Sequence, residues 1–183
     1  MSIRIVSGLE RSGTSLLMQI LKAGGVPVAY NDLRKADENN PKGYFELVKG
    51  KIISQLENNI FDFSKYEGKY IKITAFGLRY LINKKCKIIF SERNMDEIID
   101  SMEKMSNKEF GRKETKELLW KLLNDVQLTI YKNPNWDFLF INYNNLLDKP
   151  DEELKKIKSF IGEFNIKKAK KVIDKNLYRN RRE

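Results

Sequence analysis

Apolar residues recur along this chain in two alternating rhythms, short β-rich runs and longer stretches with helical spacing. Ser2 to Ser7 reads as a strand ending in Gly8, and Thr14 to Ala23 as a helix closed by the Gly24-Gly25 doublet. Val26 to Tyr30 predicts a second strand, and Asn39-Asn40-Pro41-Lys42-Gly43 a turn. From Glu46 to Ile60, the residues Leu47, Ile52, Ile53 and Leu56 are spaced as one face of a helix. Tyr70 to Thr74 and Cys86 to Ser91 are β-rich, while Gly77 to Ile82 and Met95 to Met105 predict helices. A longer helix over Lys113 to Tyr131 carries Leu118, Leu119, Leu122, Val126 and Ile130 as a core-facing stripe. Trp136 to Tyr143 predicts the last strand. Pro150-Asp151-Glu152-Glu153 then opens a helix with its acids where the helix dipole favours them.

Strands alternating with helices imply an α/β fold in three layers, a mainly parallel sheet flanked by helices on both faces. No repeat or Gly/Ser/Pro-rich linker interrupts residues 1–183, so a single domain is expected. Ligands of such folds bind at the carboxyl ends of strands, which directs attention to Gly8.

Composition narrows the chemistry. The chain has no histidine, which removes His-based general bases, Ser-His-Asp and Cys-His nucleophiles and His-containing zinc sites. The single cysteine, Cys86, cannot form an internal disulfide and lies in an apolar run that reads as a buried strand. The longest charge-free runs, Ser12 to Leu21 and Phe138 to Leu147, are ten residues each, against about 18 for a membrane span. A polar amino terminus argues against a secretory signal, so a reducing, cytoplasmic setting is expected. The net charge is +10, and residues 155–183 carry most of it, with eleven Lys or Arg against three acids. Such a basic end suits a solvated face, a polyanion-binding patch or one wall of a site for an anionic small molecule.

Gly8-Leu9-Glu10-Arg11-Ser12-Gly13-Thr14-Ser15 follows the first strand and opens the first helix. Glycines allow the backbone N–H groups to turn inward, the helix amino terminus adds partial positive charge, and Thr14 and Ser15 add hydroxyl donors. This is the context of a phosphate loop, and the fold expected is that of P-loop nucleotide-triphosphate hydrolases. The triphosphatase version places a lysine directly after the second glycine, where this chain has Thr14.

Arg11-Ser12-Gly13-Thr14-Ser15 closely resembles the loop that binds the cofactor 5′-phosphate in sulfotransferases. That family also uses an Arg at a strand end and a Ser eight residues later to hold the cofactor 3′-phosphate; Arg93 and Ser101 match this pattern. The segment Asn142-Tyr143-Asn144-Asn145-Leu146-Leu147 is similar to the family's Tyr-Glu-Asp-Leu segment, with Asn at both acidic positions. The resemblance runs from Ile3 to about Phe160. It implies 3′-phosphoadenosine 5′-phosphosulfate as sulfuryl donor with no metal required, and Gly8, Arg11, Ser12, Gly13, Thr14, Ser15, Arg93, Ser101 and Tyr143 as its contacts. It implies more loosely that the late arginines Arg179 and Arg181 close over the 3′-phosphate. A small-molecule or carbohydrate hydroxyl or amine would be the acceptor.

Sulfuryl transfer needs a cation where negative charge develops on the bridging oxygen, and Arg11 is placed for it. The acceptor proton must go to a carboxylate, since histidine is absent. Glu46, following the Gly43-Tyr44 turn, is the first candidate, with Glu10, Asp32, Asp37 and Glu92 as others. Two further readings compete. A Mg²⁺-dependent nucleotide or small-molecule kinase needs an acidic metal holder, for which Glu92 at a strand end is the hint. A non-enzymatic nucleotide- or RNA-binding module would use the basic end, yet after Phe164 only Tyr178 is available for base stacking, which argues against nucleic acid.

Overall fold

Four parallel strands, β1 (Ile3–Gly8), β2 (Tyr70–Lys72), β3 (Cys86–Glu92) and β4 (Trp136–Asn142), form one sheet in the order β2-β1-β3-β4. The computed structural model describes residues 2–31, 35–38, 40–47, 52–177 and 180–182. β1 pairs with β3 from Ile3↔Cys86 to Gly8↔Ser91, and β3 with β4 from Cys86↔Trp136 to Glu92↔Asn142. Because β1 has β2 on one side and β3 on the other, the sheet reverses its direction of growth at β1, and Gly8 stands at that switch point.

Strand residues alternate between two buried clusters, one on each face of the sheet. Val6, Ile89 and Ile141 face α1 (Thr14–Ala23), α6 (Pro150–Ile161) and α7 (Ile166–Lys170), packing on Leu17, Leu21, Leu154 and Ile157. Ile5, Ile88 and Phe90 face the other layer, built from α2 (Ile52–Glu57), a 3₁₀ segment (Ala75–Leu81), α3 (Met95–Ser106) and α4 (Arg112–Lys132). This is the three-layer α/β arrangement expected from the alternation.

Several elements differ locally from the expectation. Val26 to Tyr30 is no strand: Val28 makes a single parallel bridge to Tyr70, flanked by hydrogen bonds from the Ala29 amide to the Tyr70 carbonyl and from the Tyr70 amide to the Pro27 carbonyl. Pro27 has no N–H to extend the ladder. The helix expected from Glu46 is described only from Ile52, and Glu46 itself lies in non-helical chain. On α4, Leu118 is exposed, because the buried face is narrower and runs through Leu123, Val126 and Ile130. The Gly77 to Ile82 segment is 3₁₀ rather than α-helical and starts at Ala75. There Gly77 is pressed so closely on Ile73 and Ile53 that a Cβ would meet them at 2.6 and 2.7 Å.

Candidate active site

The carboxyl ends of β1, β2 and β3 and the start of α5 (Tyr143–Asp148) surround a cavity of about 540 Å³. Its floor is the loop from Gly8 to Ser15. Gly8 and Gly13 have φ 151° and 102°, and Arg11 adopts the left-handed φ of 66°, a conformation that costs an ordinary residue about 1–2 kcal/mol. Neither glycine has room for a side chain. A Cβ on Gly8 would lie 2.4 Å from Ser12 Oγ, and one on Gly13 would lie 2.2 Å from the Tyr143 ring. Gly13 is the N-cap of α1 and supplies no side-chain cap, and the first turn holds no acid, so its free amides and dipole offer an anion site. Ser12 is buried, and its Oγ has no hydrogen-bond partner among the described residues. A buried hydroxyl without a partner carries a desolvation cost that a ligand oxygen would relieve.

Arg11 leaves the loop toward α3, where its Nε donates to Ser101 Oγ at 2.9 Å and its Nη1 approaches Met105 Sδ at 3.6 Å. Arg93, just beyond β3, is almost fully buried. Its Nη1 donates to the Arg11 carbonyl at 3.0 Å, its Nε donates to Glu97 Oε2 at 3.0 Å, and its guanidinium lies 4.6 Å from the centre of the Tyr143 ring. The loop is therefore locked to the next strand, also by Ser91 Oγ donating to the Ser12 carbonyl at 2.7 Å. Asn94 begins α3 by accepting from the Asp96 and Glu97 amides, which fixes the helical spacing that brings Ser101 to Arg11. Burial pushes the Tyr143 phenol upward, and the Arg93 cation partly opposes this.

Lys72, the last residue of β2, was not singled out by its sequence context and is the main addition. Its side chain is one-tenth exposed; Nζ donates to the Tyr44 carbonyl, lies 3.4 Å from Ser15 Oγ and 3.8 Å from Glu46 Oε1. Ser15 Oγ also donates to the Tyr44 carbonyl, at 3.1 Å. Glu46 thus approaches the loop through Lys72. The only signal in the sequence is a lysine inside the β-rich run Tyr70 to Thr74.

The other carboxylate candidates are placed differently. Glu10 lines the cavity. Asp37 accepts from Tyr44 Oη at 2.8 Å to each carboxylate oxygen and is outside the described lining. Glu92 accepts from Gln127 Nε2 at 2.7 Å, and burial raises its pKa. Asp32 and Arg179 lie outside the described residues. Arg181 makes a bidentate contact with Asp148 at 3.2 and 3.1 Å, away from the described cavity lining, to which the neighbouring Asn180 does contribute. The arginine is engaged because the helix end at Asp148 presents a carboxylate to it first.

A phosphate-type loop at the switch point of a parallel sheet, with cations contributed by three strand ends, defines a protein of the P-loop-like α/β class. The match to the sulfotransferase domain family covers residues 4–182, and the chain belongs to that family. No curated protein sequence matches it. Among solved structures it is similar to mouse sulfotransferase SULT7A1 complexed with PAP, with a TM-score of 0.62 and 18% identity over 99% of this chain. The chain spans 66% of the length of that mouse protein. It is also similar to the sulfotransferase domain of the Synechococcus PCC 7002 olefin synthase, with a TM-score of 0.53 and 16% identity, covering 88% of this chain and 73% of that one. No helix among the described residues is long and apolar enough to cross a membrane.

Proposed function

We propose that the chain moves a sulfuryl group from 3′-phosphoadenosine 5′-phosphosulfate to the hydroxyl or amine of a small-molecule or carbohydrate acceptor. The observation that carries this reading is the convergence of Arg11, Lys72, Arg93 and Ser101 on a loop whose buried Ser12 hydroxyl lacks a partner among the described residues. The PAP complex of the mouse relative supports the choice of nucleotide. Bound there, the donor supplies an activated sulfuryl group whose bridging oxygen gains negative charge as the bond breaks.

The chain's own residues divide the remaining work. Loop amides from Gly13 to Ser15 and the Ser12, Thr14 and Ser15 hydroxyls hold the 5′-phosphate end. Arg93 and Ser101 hold the 3′-phosphate through charge-assisted hydrogen bonds, with Tyr143 setting the plane of the Arg93 guanidinium. Arg11 and Lys72 supply fixed positive charge in a partly buried site, where such charge acts more strongly than in water. Glu46, beside Lys72, takes the acceptor proton.

The test is transfer of ³⁵S from labelled donor in the presence of a metal chelator. Transfer persists, and Lys72→Met lowers turnover by about 10²-fold, as expected for the loss of one preorganised charge. A strict Mg²⁺ requirement would reassign the site to phosphoryl transfer.

A further inference from the structure

Glu97 is a fully buried carboxylate one helical turn beyond Arg93. Its Oε2 accepts from Arg93 Nε at 3.0 Å, while Oε1 accepts from Asn144 Nδ2 and from the backbone amide of Arg182, each at 3.1 Å. These donors come from the end of β3, from α5 and from the carboxyl-terminal segment. A carboxylate with no access to water is tolerated only while such donors surround it, so the loss of one raises the demand on the others.

The same terminal segment is held on its outer side by exposed pairs. Arg182 donates from Nε and Nη2 to Asp100 at 2.6 and 2.7 Å, and Arg181 donates to Asp148. Exposed pairs of this kind contribute little individually and are screened by salt. The buried contact with Glu97 is the anchor, and it places Asn180 in the wall of the cavity.

We propose that Glu97 is a positioning residue that couples the carboxyl-terminal strap to Arg93, so that docking of residues 180–182 and orientation of the Arg93 guanidinium at the cavity are one event. A continuous set of contacts carries the coupling: strap amide to Glu97, Glu97 to Arg93, and Arg93 to the Arg11 carbonyl and the Tyr143 ring against Gly13. The consequence for the ligand rests on the donor reading above: a docked strap closes one end of the cavity over the nucleotide and fixes the cation that meets its 3′-phosphate.

The coupling is read without ligand by NMR hydrogen exchange on the full chain, following the Arg182 amide and the Arg93 Nε–H. Glu97→Gln speeds exchange of the Arg182 amide by about tenfold or more. Truncation after Asn180 speeds exchange of Arg93 Nε–H, although the removed residues do not touch Arg93 in any contact given above. The double variant exchanges no faster at Arg93 than the stronger single one. Should Glu97→Gln fail to fold, the truncation alone carries the test through exchange of Arg93 Nε–H. Unchanged Arg93 exchange in the folded truncation, or additive effects in the double variant, overturns the proposal. Adenosine 3′,5′-bisphosphate titrated into the truncation separates the two readings: about tenfold weaker binding supports closure over the nucleotide, whereas a wild-type chain that ignores this ligand removes the donor reading and leaves the exchange result standing.

Discussion

Arg11 and Ser101 are ninety residues apart in sequence and joined by a 2.9 Å hydrogen bond from Arg11 Nε to Ser101 Oγ. The loop cation and the helix serine therefore belong to one polar cluster. The left-handed backbone at Arg11 turns its side chain toward α3, and the Asn94 cap sets the register that brings Ser101 to meet it.

Ser101→Ala removes a hydroxyl from this cluster and releases the Arg11 guanidinium. A hydrogen bond to a charged group is worth about 1.5–3 kcal/mol. Affinity for adenosine 3′,5′-bisphosphate falls at least about tenfold by calorimetry, while that for adenosine 5′-monophosphate changes less than about threefold. Equal losses for both ligands would place Ser101 with the 5′-phosphate loop instead.

Arg93→Ala has a different first effect. The Arg93 and Glu97 side chains are 7% and 0% exposed, so truncating the arginine leaves a buried carboxylate without the Arg93 cation. Such removal costs about 3–5 kcal/mol, and thermal unfolding shows a large loss of stability before any ligand is added. Arg93→Lys keeps the charge without the planar fork and loses less. An unchanged melting temperature for Arg93→Ala would mean that the pair is not buried in solution.

The strap latch has a defined pH range. Hydrogen bonding from Arg182 is the largest influence holding the Asp100 carboxyl below the usual aspartate value; partial burial opposes it, and Arg112 adds to the lowering. A carboxyl whose folded pKa is depressed contributes stability above its unfolded value, and that contribution is lost as the pH falls through the folded value. The Asp100–Arg182 pair accordingly keeps its contribution through neutral pH and loses it only in acid stronger than that which protonates an unstructured aspartate. A side-chain carboxyl NMR titration of Asp100 has its midpoint below that of an unstructured aspartate, and Arg182→Ala moves it upward. A wild-type midpoint at or above the unstructured value would contradict this.

The loop and the places of Arg93 and Ser101, before and along α3, were legible in the sequence because each is set by local order, a strand followed at once by a turn or helix cap; the contact of Ser101 with Arg11 was not. Lys72 was not legible either, since nothing within a short strand tells such a lysine from a solvated edge residue; the pairing of Lys72 with Val6 and the length of its side chain together bring Nζ to Ser15. Glu97 was hidden within a recognised segment, where an acid four residues after an arginine reads as an ordinary surface pair. Its burial depends on α5 and the strap, which join it across 47 and 85 residues. Arg181 was legible only as charge, and charge alone does not say which carboxylate lies nearest in space. The apolar pattern located all four strands of the sheet and overreached at Pro27, where the backbone lacks the N–H that another strand would need.

The central claim is that the cavity recognises a nucleotide carrying both a 3′- and a 5′-phosphate. Calorimetric titration of the full chain with adenosine 3′,5′-bisphosphate, adenosine 5′-monophosphate and ATP with Mg²⁺ tests it most directly. The bisphosphate is expected to bind at least about tenfold more tightly than the monophosphate and more tightly than ATP with Mg²⁺. Preference for ATP with Mg²⁺, or no binding of the bisphosphate, would contradict it.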